Sequence, residues 1–291
     1  MSDLEWKEEN RLSWNAATKQ HNSHKGDQAA FFRGGGSTLF AEEIELLGDV
    51  EGKSLLHLQC NAGQDSLSIA SQLGAEVTGV DISDEAVEFA QHLSEESNIP
   101  ATFVRSDIYD WFENNEKTFD VVFCSYGTVI WLSDLDSWAQ GVAAALKPGG
   151  RFVIVDFHPM LGVLDGIMYD DWSEACDYMG GAHYHFEYGV GDYVGDGGGA
   201  TTQTGLPVES KPFENPHPAN EFAWGIGEIV MALVNAGLRL ATLNEYDHIN
   251  GFKPYSQLEE LPERRFTFAE DMPVIPLMYG IVAEREVIDS E

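Results

Sequence analysis

Between Lys53 and Asp81 the chain reads KSLLHLQCNAGQDSLSIASQLGAEVTGVD. Leu55, Leu56 and Leu58 form a short apolar run suited to a buried parallel strand. Asn61-Ala62-Gly63 turns the chain, and a helix follows with Leu67, Ala70 and Leu73 on one face and Gly74 as its stop. Val77 to Val80 predicts a second strand, with Asp81 at its carboxyl end. In a doubly wound sheet this order puts a polar cofactor site at the first turn. A carboxylate about 20 residues on then meets ribose hydroxyls. The stretch therefore predicts a nucleoside-cofactor site.

The phosphate-binding pattern G-x-G-x-x-G is missing. Gln59 and Asn61 stand where a pyrophosphate needs glycine and close backbone approach. Asn tolerates left-handed backbone, so the turn still forms. A cofactor with an amino-acid tail and no phosphate fits these residues better than a dinucleotide does.

Downstream, ATFVRSD (101–107) predicts a third strand ending in an acid, and FDVVFCSY (119–126) a fourth. Leu135, Trp138, Val142 and Leu146 then recur at helical spacing. Lys147-Pro148-Gly149-Gly150 makes a tight turn into RFVIVD (151–156), the fifth strand. With LLHLQCNAG, VTGVD, SDI, FDVVFCSYG and LKPGGRFVIVD in this order from Leu55 to Asp156, the chain resembles the class I S-adenosylmethionine-dependent methyltransferases, and within them a subgroup with Leu-Gln-Cys in the first turn. Two departures are His57, where the family has an acid, and the replacement of two glycines by Gln59 and Asn61. Further on, Ile229, Val230, Leu233 and Val234 share a helix face, Leu238 to Glu245 reads as a sixth strand, and Val274 to Glu284 as the seventh.

The resemblance implies an α/β fold: a Rossmann-like, seven-stranded doubly wound sheet with strand seven antiparallel beside strand five, an N-terminal helical lid, and an insertion after strand five. The corresponding segments are 1–40 (lid), 41–156 (cofactor-binding core), 157–221 (inserted substrate-recognition segment) and 222–291 (completion of the sheet). It implies S-adenosyl-L-methionine as cofactor and direct in-line methyl transfer to a small-molecule acceptor. Gln59, Asn61 and Gly63, with Cys60 in the same turn, would line the methionine end. Asp81 would accept the ribose hydroxyls, with Ile82 near the adenine; Asp107 and Ile108 would meet the adenine, and Ser125 and Tyr126 the methyl. The N-terminal segment would cover the cofactor, with Gly34 to Ser37 closing over its methionine end.

Bland readings stand beside several of these. His57 reads as a satisfied buried histidine and Cys60 as a small turn residue, since no histidine partner for a thiolate can be identified. Cys60, Cys124 and Cys176 imply no disulfide framework. In the insertion, Tyr184, Phe186 and Tyr188 alternate with His183, His185 and Glu187, a strand-like pattern that predicts a hairpin with a glycine-rich tip between Gly189 and Gly205. His183 and His185 share one face and, with Trp131, are candidates for the substrate pocket. They lack a third ligand for a metal, and GVGDYVGDGGG is a single irregular copy of a calcium-type repeat, so no metal is expected. For catalysis, His158 follows the fifth strand at the ligand-binding edge and is the first candidate for positioning or proton removal, with Tyr126 next. A non-catalytic protein that binds the same cofactor, or a nicotinamide-dependent oxidoreductase, is the alternative function.

No window approaches the ~18 apolar residues of a membrane span, and MSDLEWKEENR lacks a hydrophobic signal region, so a cytoplasmic, membrane-free protein is expected. Lys and Arg number 16 against 49 Asp and Glu, a formal net charge of −33. No basic stripe exists to neutralise phosphates, which argues against nucleic acid as partner. Self-repulsion of this size opposes compaction and is screened within roughly 3 Å at 1 M salt. The thermal midpoint should therefore rise between about 0.1 M and 1 M salt. The charge reads as an adaptation to a salt-rich cytosol or as ordinary acidity, and a midpoint that falls steadily over that range, followed by circular dichroism, contradicts the first.

Overall fold

The computed structural model describes residues 3–173, 175–196 and 212–287. Three helices come first, α1 (Asp3–Ser23), α2 (Gln28–Arg33) and α3 (Ala41–Leu47). The core then alternates β1 (Ser54–Leu58), α4 (Gln64–Leu73), β2 (Glu76–Asp81), α5 (Asp84–Ser97), β3 (Thr102–Arg105), α6 (Ile108–Asn114), β4 (Phe119–Ser125), α7 (Leu135–Ala145) and β5 (Leu146–Phe157). After it come α8 (Met160–Met168), β6 (Ala182–Phe186), α9 (Tyr193–Asp196), β7 (Ala219–Ala223), α10 (Ile226–Asn235), β8 (Leu238–Tyr246), β9 (His248–Asn250), β10 (Leu258–Leu261), β11 (Arg265–Phe268) and β12 (Met278–Arg285).

The main sheet has seven strands in the order β3-β2-β1-β4-β5-β12-β8, and β12 runs antiparallel to both neighbours. This is the expected Rossmann-like sheet with its antiparallel strand beside β5. Strand alternation divides the apolar residues between two faces. Leu56, Leu58, Val122 and Ile154 pack on one face with Trp138 and Val142 of α7 and Ile229 of α10. Leu55, Val121, Phe123 and Val153 pack on the other with Leu47 of α3 and Ile69 of α4. Burial on both faces is why these strands read as continuous apolar runs.

The last strand starts at Met278 rather than Val274. Pro276 has no N–H to give to a ladder, so pairing begins beyond it. The third strand ends at Arg105, because the Asp107 carboxylate accepts the amide N–H groups of Tyr109 and Asp110 and caps α6.

Two small additions cover the carboxyl edge of the sheet. β10, β11 and β9 form an antiparallel sheet over its own core of Leu164, Ile249, Tyr255, Phe266 and Leu277. β6 and β7 pair antiparallel, with Tyr184 opposite Glu221 and His183 opposite Phe222, and β7 packs on α1. The expected partner of the aromatic strand is thus more than thirty residues away. The glycine run Gly197 to Gly205 lies outside the described residues.

Gly63 shows how tightly the first turn is built. It sits at φ 78°, and a Cβ there would lie 2.7 Å from Ala90 Cβ and 2.8 Å from Phe103 Cζ. Gly63→Ala should destabilise by about 3 kcal/mol, combining left-handed strain and overpacking. A denaturant midpoint unchanged from wild type would mean that α4 and α5 are not wedged by this turn.

Candidate active site

Two turns at the carboxyl edge of the sheet shape the site. Leaving β1, the chain takes left-handed conformations at Gln59 (φ 52°), Asn61 (φ 48°) and Gly63. Leaving β4, it does so at Tyr126 (φ 39°) and Gly127 (φ 74°). Non-glycine residues at positive φ carry strain that must be held by neighbours, and both turns are held. The Asn61 amide N–H donates to Asp81 Oδ2 at 2.8 Å, and Ala62 N–H to Asn61 Oδ1 at 2.6 Å. Buried Asp156 accepts from the amides of Gly127, Thr128 (3.0 Å), Val129 (3.2 Å) and Phe157 (2.7 Å), and from Thr128 Oγ1 (3.0 Å). Burial pushes its carboxyl above the usual range, and those backbone donors oppose the shift. Gln59 Nε2 donates to the Thr128 carbonyl at 3.0 Å and ties the turns together. Gln59 Oε1 is buried with no hydrogen-bond partner.

Between the turns lies a cavity of about 240 Å³. The structure brings most of the predicted residues onto its walls: Gln59, Cys60, Asn61, Asp81, Ile82, Asp107, Ile108, Ser125, Tyr126 and Trp131 all line it. Gly63 lies behind the wall, where it packs α4 against α5. Asp81 ends β2, with Oδ1 accepting the Ser83 N–H at 2.8 Å. Burial raises its carboxyl to about 6, against the pull of backbone donors. At Asp107 the two capping bonds and the Lys7 ammonium (3.0 Å) all fall on Oδ1.

His57 behaves as a satisfied buried histidine. Its Nδ1 meets Ser66 Oγ at 2.8 Å and its Nε2 meets Ser125 Oγ at 3.4 Å. Burial lowers it to about 4, so it is neutral at pH 7. The Cys60 thiol is buried and pushed upward by burial, which suits a turn residue and not a thiolate.

Helix α1 roofs the cavity with Trp6, Lys7, Asn10 and Trp14, and Trp14 meets Trp131 edge-on at 5.5 Å. Lys25 lines it too, and its ammonium has no hydrogen bond or ion pair among the described residues. Burial lowers its ammonium to about 8, with Asp65 opposing. Nothing in its polar sequence context, HNSHKGDQ, marks Lys25 as a site residue, because the contact exists only once α1 crosses the sheet edge. The expected closure by Gly34 to Ser37 is not seen. Gly34 and Gly35 cap α2 through bonds to Ala30 and Phe32, and Gly36 bonds back to Phe31. The cover comes from α1 and Lys25 instead.

A second, larger cavity of about 680 Å³ adjoins the first, and Gly127, Tyr193 and Phe222 line both. Here strand alternation corrects the sequence reading of the insertion. His183 and His185 face α1: the His183 ring packs at a tilt on Trp6 with centroids 4.4 Å apart, and both imidazoles bond Asn220 Oδ1. Tyr184, Phe186 and Glu221, on the opposite face of the β6–β7 pair, line the cavity. The two histidines are therefore not pocket residues. Among the described residues no group of three or more His, Cys, Asp or Glu is placed to hold a metal ion.

The two catalytic candidates also change. His158 lines the second cavity, but its Nδ1 accepts the Met160 amide N–H at 3.1 Å and its Nε2 meets Glu245 Oε1 at 3.1 Å. The hydrogen-bond pattern assigns the Nε2–H tautomer, so no ring nitrogen is left to take a proton from a ligand. Burial also lowers its basicity. The Tyr126 hydroxyl accepts from Asn250 Nδ2 at 3.0 Å inside a buried cluster with Glu42, and burial pushes it well above the usual range. Neither group is free to act as a base.

Residues 55–150 match a family described as "Methyltransferase domain". The chain is 32% identical over 108 residues to the ubiquinone biosynthesis O-methyltransferase of Photorhabdus laumondii, covering 37% of this chain and 44% of that protein. It is 35% identical over 100 residues to the same-named protein of Vibrio parahaemolyticus, covering 34% and 42%. The chain thus spans less than half the length of these curated relatives. Among solved structures, an S-adenosylmethionine dependent methyltransferase from Mesorhizobium loti superposes with a TM-score of 0.51 at 19% identity, covering 83% of this chain and 94% of that one. A SAM-dependent methyltransferase from Methanosarcina mazei superposes at 0.52 and 16% identity, covering 86% and 99%. At these identities the structural likeness is one of fold.

Asp156→Asn keeps the shape but replaces one acceptor oxygen by an amide that faces backbone donors. It should cost about 2 to 3 kcal/mol of stability. A variant as stable as wild type in urea would show that the carboxylate does not hold the turn.

Proposed function

We propose that the protein is an S-adenosylmethionine-dependent methyltransferase of the class I type, acting on a small-molecule acceptor by direct in-line transfer. One observation carries the reading: the first cavity presents three groups with hydrogen-bonding capacity left over, and they complement the three polar ends of this cofactor. Lys25 offers an ammonium that is unpaired among the described residues for the cofactor's carboxylate. Gln59 Oε1 is an orphaned acceptor for its ammonium. Asp81, at the end of β2, has lone pairs left for the ribose hydroxyls. Ile82 and Ile108 supply apolar wall, and Asp107 an acceptor, on the adenine side. The family match over 55–150 and the fold likeness support the same reading. A dinucleotide is disfavoured because the turn after β1 has side chains where a pyrophosphate requires backbone approach.

Bound in this cavity, the cofactor supplies an electrophilic methyl on a sulfonium whose departure requires no acid. The protein's share is alignment and exclusion of water. Gly127, Tyr193 and Phe222 form the passage between the cavities, so an acceptor in the second cavity meets the methyl there. Trp14 and Trp131 close the first cavity on its α1 side. His158 serves as a fixed wall, held by Met160 and Glu245, and not as a base.

Calorimetric titration tests the reading. S-adenosylmethionine and its demethylated product should bind saturably while NAD gives no signal. Lys25→Met should weaken binding about 30-fold, equivalent to roughly 2 kcal/mol for a desolvated charge pair that loses one partner. With Asp81 near 6, protonation below that value removes its ribose acceptor. Affinity should fall roughly tenfold one pH unit below the Asp81 value, and Asp81→Asn should flatten that limb. Binding of NAD with silence from both sulfur nucleosides would overturn the proposal.

A further inference from the structure

The second cavity contains an acid that no described residue pairs with. Glu221, on β7, lines it beside Tyr184, its partner across the β6–β7 ladder. The residue is set deep among other atoms, and the surface it keeps opens on the cavity. Its carboxylate has no hydrogen bond and no ion pair among the described residues. The other acids on this wall differ from it: Asp156 is saturated by the turn after β4, Asp165 accepts the Tyr255 hydroxyl at 2.8 Å, and Asp177 is exposed to solvent, its amide N–H donating to the Tyr184 hydroxyl at 2.7 Å.

The basic groups on the wall do not offset Glu221. His158 is neutral in its hydrogen-bonded tautomer, and Lys253 is exposed with its ammonium 5.9 Å over the Phe266 ring. The wall is rich in rings: Tyr184 is the ladder partner of Glu221, Phe186 and Tyr188 follow it in ring contact, and Trp224 and Phe252 line the same cavity. A desolvated carboxylate among aromatic faces has an excess of negative potential. Ring quadrupoles add to it, because their faces are negative too. Burial, with the charge of Asp165, already holds the Glu221 carboxyl at about 7, which reflects the missing counter-charge.

We infer that the second cavity recognises a small molecule by a cationic nitrogen, an alkylammonium or quaternary ammonium group, with Glu221 as its counter-ion and the surrounding rings as its cage. The inference rests on the proposed function only in taking this ligand to be the methyl acceptor. The recognition chemistry is a property of the cavity itself. It distinguishes the ligand from the neutral or anionic acceptors that an aromatic pocket without a free acid would hold.

The test uses the full chain, with and without S-adenosylhomocysteine, in one fixed salt. The probes are choline, tetraethylammonium and benzyltrimethylammonium, with 3,3-dimethylbutan-1-ol as choline's neutral isostere. At least one cation should bind saturably, and choline at least tenfold more tightly than the neutral isostere. Glu221→Gln should abolish that preference while leaving S-adenosylhomocysteine affinity at the wild-type level, which also shows that the variant is folded. Equal binding of choline and the alcohol, an unchanged preference in Glu221→Gln, or silence from all three cations overturns the inference. Loss of S-adenosylhomocysteine binding with the cation preference intact would instead overturn the cofactor reading and leave the cation site standing.

Discussion

A buried carboxylate with five donors holds this site open. Asp156 ends β5 and gathers the amides of the chain as it leaves β4. Without that anchor the left-handed backbone at Tyr126 and Gly127 has nothing to compensate its strain. The turn then fixes Thr128, whose carbonyl holds Gln59, whose orphaned oxygen faces the first cavity. One chain of hydrogen bonds thus runs from the sheet edge to a group left free for a ligand.

The two cavities follow one electrostatic logic with opposite signs. In a protein with a net charge of −33, an ammonium without a partner is uncommon, yet Lys25 has none among the described residues. Acids are plentiful and mostly solvated, yet Glu221 is set in an aromatic wall with no donor among the described residues. Each is costly in isolation, because burial disfavours the charged form of both. A zwitterionic cofactor at Lys25 and a cation at Glu221 would each relieve that cost on binding.

Much of the core was legible in the sequence because a doubly wound sheet writes itself locally. Each strand is an apolar run, each crossover ends in a glycine or an acid, and the spacing is regular. Asp81 and Asp107 stand at the ends of such runs, and the resemblance assigns them, with Gln59 and Asn61, to the cofactor. What depended on long-range packing was not legible. Lys25 reaches the cavity only because α1 folds across the sheet edge. His158 has the right place for a base, but Met160 and Glu245, one near and one 87 residues away, take its nitrogens. The β6 alternation was clear, and its facing was not: β7, far along the chain, turns the histidines toward α1 and the tyrosine and phenylalanine inward. Period-two patterns give two faces and do not say which is buried against what.

The most direct test of the central claim is a crystal structure with S-adenosylhomocysteine. The account predicts the ribose hydroxyls on Asp81, the amino-acid carboxylate within ion-pair distance of Lys25, and the sulfur turned toward the passage between Gly127 and Phe222. A ligand bound with its carboxylate away from Lys25, or outside the cavity between the two turns, would contradict it.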